Sequence, residues 1–137
     1  MIPHTPLTVL LLDEVGSTSL DALAASVAIF GAARIEMIYA YDHDALHRMA
    51  GEMADIGATG IIVVDVDHDP QPKRFLATAA EAGYPLVVLS DGRNDAIQDH
   101  ALSVGAAAYL PAALPAREMV GVLTTLASPP EQYRQYG

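Results

Sequence analysis

The chain is 137 residues long, 52% hydrophobic and 18% charged, and it sets 17 acidic side chains against 7 basic ones for a formal net charge of -10. That length supports one packed core rather than two, the apolar content excludes a disordered chain, and the negative field opposes a phosphate backbone, so no direct nucleic-acid partner is expected. The lack of cysteine removes disulfides and thiol chemistry, the apolar runs fall far short of the ~20 residues of a membrane span, and an N-terminus without cationic lead or cleavage site gives no signal peptide, so a cytoplasmic protein with no membrane partner is expected.

Short apolar runs then alternate with stretches of helical spacing, five times over. The first run, Thr8 to Leu12, stops at Asp13 and Glu14. Leu20, Leu23, Val27 and Phe30 follow as one stripe of a helix that Ser17 or Thr18 is placed to cap. A second strand is expected from Arg34 to Ala40. The next helix should turn Ala45, Met49, Met53 and Ile56 inward, start at Asp42 or Asp44, and end at Gly57. Its His43 and His47 stand at i and i+4, but the glutamate of a zinc-protease helix is missing, so a solvated face is expected.

The third run, Gly60 to Val64, is four β-branched residues after a glycine and delivers Asp65, Asp67, His68 and Asp69 in quick succession. A helix from Pro72 to Ala82 stops at Gly83, and a fourth strand, Leu86 to Leu89, leads to Ser90 and Asp91. The fourth helix is expected from Asn94 to Val104, ending at Gly105. Strand five, Ala107 to Leu110, carries Tyr109 and leads to Pro111 and Ala112. A last helix opens at Pro115 and presents Met119, Leu123 and Leu126 inward. Residues 1–127 thus read as one domain, and residues 128–137 as a tail or linker stump.

Strands this continuously hydrophobic require burial on both faces, which indicates an α/β chain with a doubly wound parallel sheet, (βα)5, covered by helices on each side. Parallel strands bring their carboxyl ends to one rim, where ligands of open α/β sheets gather. Asp13, Glu14, Asp65 and Ser90 would meet there. Carboxylates so gathered repel one another, and a hard divalent cation such as Mg2+, which keeps several waters, relieves that repulsion. A carboxylate beside it can accept a phosphoryl group, and Ser90 can hydrogen-bond a phosphoryl oxygen.

In this order the motifs "LLLDE", "IIVVD", "LVVLS" and "GAAAYLP" resemble the receiver domain of two-component response regulators over about residues 7 to 127. The resemblance implies a flavodoxin-like fold with strand order 2-1-3-4-5 and makes Asp65 the phosphoacceptor. It also implies Ser90 as the phosphoryl contact, Tyr109 as a switch residue, and Mg2+ held by Asp13, Glu14, Asp65 and the backbone carbonyl of Asp67. It further implies a histidine kinase or phosphotransfer protein as donor, docking at helix one and the acidic rim. The face of helix four, strand five and helix five would meet a protein partner or a second copy.

The chain departs from that family where it has Ala112 in place of a lysine and Ala113 in place of the proline that follows. No ammonium is there to pair with an aspartyl phosphate; Lys73 and Arg93 are the candidate substitutes. The loop "DVDHDPQPK" is also rebuilt. The resulting expectation is an atypical receiver, not an enzyme, in which Asp65 can be phosphorylated but the ordinary switching response is impaired. Its output would come through binding, dimerisation or an output domain elsewhere in the polypeptide. Two alternatives stand beside it. "VVDVDHD" is similar to the Asp-x-Asp start of haloacid-dehalogenase-type phosphatases, with Asp65 as nucleophile, Asp67 as acid and base and Ser90 in the second motif. The other is a pseudo-receiver that binds neither metal nor phosphate.

Overall fold

Five strands alternate with five helices: β1 (Leu7–Leu12), α1 (Thr18–Phe30), β2 (Ile35–Ala40), α2 (His43–Asp55), β3 (Gly60–Asp65), α3 (Pro72–Ala80), β4 (Leu86–Ser90), α4 (Asp95–Ser103), β5 (Ala108–Pro111) and α5 (Ala116–Leu126). This is a computed structural model, and it describes residues 7–14, 18–30, 35–67, 71–90 and 95–128. All strand pairings are parallel, in the order β2-β1-β3-β4-β5. The expected doubly wound 2-1-3-4-5 sheet is therefore present. Ser17, Arg34 and Asn94, expected at element ends, lie outside the described residues, as do His68, Asp69, Asp91 and Arg93.

Alternation along the central strands builds two cores. Leu10, Leu12, Ile62, Val64, Leu86 and Val88 point to one side and pack with Leu46, Ala50 and Met53 of α2, Phe75, Leu76 and Ala79 of α3, and Ile97 and Ala101 of α4. Their neighbours Val9, Leu11, Ile61, Val63, Val87 and Leu89 point to the other side, against Leu20, Leu23 and Val27 of α1 and Met119 and Leu123 of α5. Every residue of β3 is buried, as a strand covered on both faces must be.

The helices are trimmed by local chemistry. Asp42 caps α2 by accepting from the backbone N–H of Ala45 at 2.7 Å. At the far ends of α3 and α4 the chain turns through left-handed glycines, Gly83 (φ 86°) and Gly105 (φ 90°), a conformation that other residues adopt only with strain. The inward face of α2 differs from expectation: Leu46, Ala50 and Met53 are buried, whereas Ile56 lies past the helix and is 81% exposed. Ala45 and Met49 of the expected stripe do pack against this core but are only partly buried, so the face turns on Leu46, Ala50 and Met53 with Ala45 and Met49 at its edge. Nor is the histidine face solvated. His47 Nε2 bonds the Thr78 carbonyl at 3.0 Å, and the His43 ring stands edge-on to Phe75 with centroids 5.0 Å apart.

Beyond α5, Ser128 forms an antiparallel bridge with Gly60 at the start of β3, through N–H to carbonyl bonds of 2.9 and 3.1 Å.

Candidate functional site

Of the buried polar side chains among the described residues, all but Thr8 lie at the rim formed by the carboxyl ends of β1, β3 and β4. Asp13 and Asp65 are each 7% exposed and Ser90 is 5% exposed. Register explains their proximity. Leu12 pairs with Val64, so Asp13 and Asp65 are the next step on neighbouring strands, whose backbones lie roughly 4.8 Å apart. Asp65 in turn pairs with Leu89, which sets Ser90 one step beyond it. The two carboxylates therefore share a rim and a desolvated setting, where like charges disfavour each other unless a positive group joins them.

The loop after β3 is tied to this rim twice. An oxygen of Asp65, Oδ1, accepts from the backbone N–H of Asp67 at 2.9 Å. The Ser90 hydroxyl donates to Asp67 Oδ1 at 2.6 Å. Asp67 itself is exposed on its outer side. In the receiver reading of the sequence the Asp67 side chain carried no role, its only role being acid and base in the phosphatase alternative; in the structure it is the hydrogen-bond acceptor of the very serine expected to face a phosphoryl group.

Glu14, unlike Asp13, is exposed. Its carboxylate lies 3.5 Å from His43 Nε2, both side chains being partly exposed, and His43 Nδ1 is buried without a hydrogen bond. Among the described residues no three histidine, aspartate or glutamate side chains converge to hold a metal ion. Asp13 and Asp65 are buried at the rim, whereas Glu14 is exposed and its carboxylate stands near an imidazole 29 positions away in the chain.

Tyr39 on β2 closes the same end of the sheet. Its hydroxyl donates to Asp21 Oδ1 at 2.7 Å, and its ring stacks on Tyr41 at 6.0 Å. Partial burial, the hydrogen bond to Asp21 and the negative charges of Asp21 and Asp13 together push the phenol up to about 12. Tyr109, on β5, is half-buried and packs against the α2, α3 and α4 side, its hydroxyl buried with no hydrogen-bond partner. Ala112 lies beside the site: its N–H donates to the Ser90 carbonyl at 3.1 Å, and its methyl joins the α1 and α5 side. Lys73 is exposed at the start of α3.

No helix among the described residues is long and apolar enough to cross a membrane. No family model matches the sequence, and no curated protein is significantly similar to it. Solved structures are similar in fold. A response regulator from Thermotoga maritima superposes with a TM-score of 0.67 at 16% identity, over 89% of this chain and 97% of that one. A response regulator receiver domain from Rhodospirillum rubrum does so with a TM-score of 0.68 at 14% identity, over 90% and 97%. The Mn2+-bound form of response regulator Rcp1 gives 0.63 at 19% identity, over 90% and 99%. At these identities the likeness concerns architecture, and on that ground the chain has the fold of a response regulator receiver domain.

Proposed function

We propose that this chain is an atypical receiver module of two-component signalling, cytoplasmic and acting through protein contacts rather than by turnover. The observation that carries the reading is the burial of Asp13 and Asp65 side by side at the rim, with Ser90 on the adjoining strand. Carboxylates buried together at the ligand-binding edge of an open α/β sheet are an arrangement found where charge is put to chemical use.

In this reading Asp65 is the phosphoacceptor. A carboxylate oxygen of Asp65 attacks the donor phosphorus, the bond to the leaving group breaks, and its electron pair departs with the imidazole of a phosphohistidine or with acetate. Asp13, Asp65 and the backbone carbonyl of Asp67 would hold Mg2+, three hard oxygens suiting an ion that keeps several waters. With Glu14 engaged elsewhere, that binding is weak. A bound divalent ion supplies charge neutralisation for the attacking and transferred oxygens. The Mn2+ held by the fold neighbour Rcp1 supports an ion of this class.

Ala112 in the lysine position leaves the aspartyl phosphate without an ammonium partner, so the ordinary coupling to Tyr109 is impaired. Partners are a histidine kinase or phosphotransfer protein at the acidic rim, and a protein or second copy at the face of α4, β5 and α5. That face ends the sheet at β5 and includes Leu102, which is 51% exposed.

Intact-protein mass spectrometry after incubation with acetyl phosphate and Mg2+ tests the reading. Wild type should gain one phosphoryl group and Asp65→Ala none. No adduct on wild type, or an adduct that survives in Asp65→Ala, rejects Asp65 as the acceptor.

A further inference from the structure

We infer that Asp67 is a positioning residue that withholds Ser90 from an incoming phosphoryl group, keeping occupancy of Asp65 low; this rests on the reading of Asp65 as acceptor. Three observations carry it. The Ser90 hydroxyl, on a side chain only 5% exposed, donates to Asp67 Oδ1 at 2.6 Å, the short length of a charge-assisted bond. Asp67 is not a loose end, because Asp65 Oδ1 holds its backbone N–H at 2.9 Å. The acceptor therefore fixes the very residue that competes with its product. Finally, Ala112, the residue whose N–H meets the Ser90 carbonyl, brings no cation to offset the added charge.

A phosphoryl group on Asp65 has to displace the Asp67 carboxylate from Ser90 and then sit beside it. Both steps are unfavourable, and both trace to one side chain. Asparagine at this position keeps the size and an acceptor oxygen but removes the charge. It therefore separates the latch from mere packing.

The experiment measures binding of beryllofluoride, a phosphoryl mimic, in the presence of Mg2+ by fluorine NMR, for wild type, Asp67→Asn, Ser90→Ala, the double variant and Asp65→Ala. Asp67→Asn should bind about ten-fold more tightly than wild type, and the gain should shrink in the Ser90→Ala background. Mg2+ alone should bind Asp67→Asn no more tightly than wild type, since losing a carboxylate weakens a cation site. A loop merely loosened by the change would weaken both ligands and overturn the inference. Wild type binding as tightly as Asp67→Asn sinks the latch and leaves the acceptor reading intact, and so does an equal gain with and without Ser90. Absence of binding in every variant removes the acceptor reading and the latch together, whereas signal that persists in Asp65→Ala rejects the acceptor alone as the binding group and with it the proposed competition.

Discussion

Glu14 follows a buried aspartate yet spends its charge on an imidazole. The His43 ring stands edge-on to Phe75 at the start of α2, with the Glu14 carboxylate 3.5 Å from its Nε2. A partly exposed contact between a carboxylate and an imidazole contributes about 1 kcal/mol or less even when it is an ion pair, which makes it easy to undo. His43→Leu, which preserves the apolar contact with Phe75, should return Glu14 to the acidic rim and tighten Mg2+ binding by roughly two- to five-fold, read by isothermal titration; unchanged affinity would show that Glu14 cannot reach the ion. Neither this pairing nor the Ser90 bond to Asp67 was legible in the sequence. Asp13, Asp65 and Ser90 were, because each ends an apolar run whose strand fixes its place. Glu14, His43 and Asp67 sit in polar stretches, where no period says which way a side chain turns.

At the scale of elements, β2 and α1 are joined near the rim by the Tyr39 hydroxyl and Asp21. Folding holds the Tyr39 proton more tightly than the unfolded chain does, with the phenol raised from 10.0 to about 12. The stability linked to that proton is therefore fully present below pH 10.0 and is lost as the pH rises through about 12. Tyrosinate absorbance against pH should show a late step that Tyr39→Phe removes. Asp21→Asn should move that step downward without bringing it to 10.0, because burial is the first cause of the shift and remains. Element boundaries were readable to within one or two residues wherever a cap or a left-handed glycine marked them, as at Asp42, Gly83 and Gly105. The face of α2 was readable in part: Met53 is buried and Ala45 and Met49 pack at the edge of the core, but its centre lies on Leu46 and Ala50, and Ile56 is exposed.

For the molecule as a whole, the sheet is a shared wall between two cores, so damage on either side should be felt on both. Leu76 of α3 and Leu123 of α5 are both fully buried, one on each side. Leu76→Ala and Leu123→Ala should each cost about 2–5 kcal/mol and each move one common urea transition, whether followed by far-ultraviolet circular dichroism or by tyrosine fluorescence. Two separated transitions would mean that the cores unfold independently. A parallel sheet covered on both faces was readable because the apolar runs are continuous, whereas its order, β2-β1-β3-β4-β5, was implied only by the resemblance of the motifs; given both, the rim follows.

The bridge between Ser128 and Gly60 anchors the end of the described chain at the foot of β3, whereas Asp65 stands at its head. The length of a six-residue strand, on the order of 17 Å, therefore lies between them. Because the protein has no cysteine of its own, a single thiol introduced at Ser128 would offer a unique handle at the pole away from the carboxylates. Molecules tethered through it would stand with their acidic pole facing outward, open to whatever donor or ion is supplied.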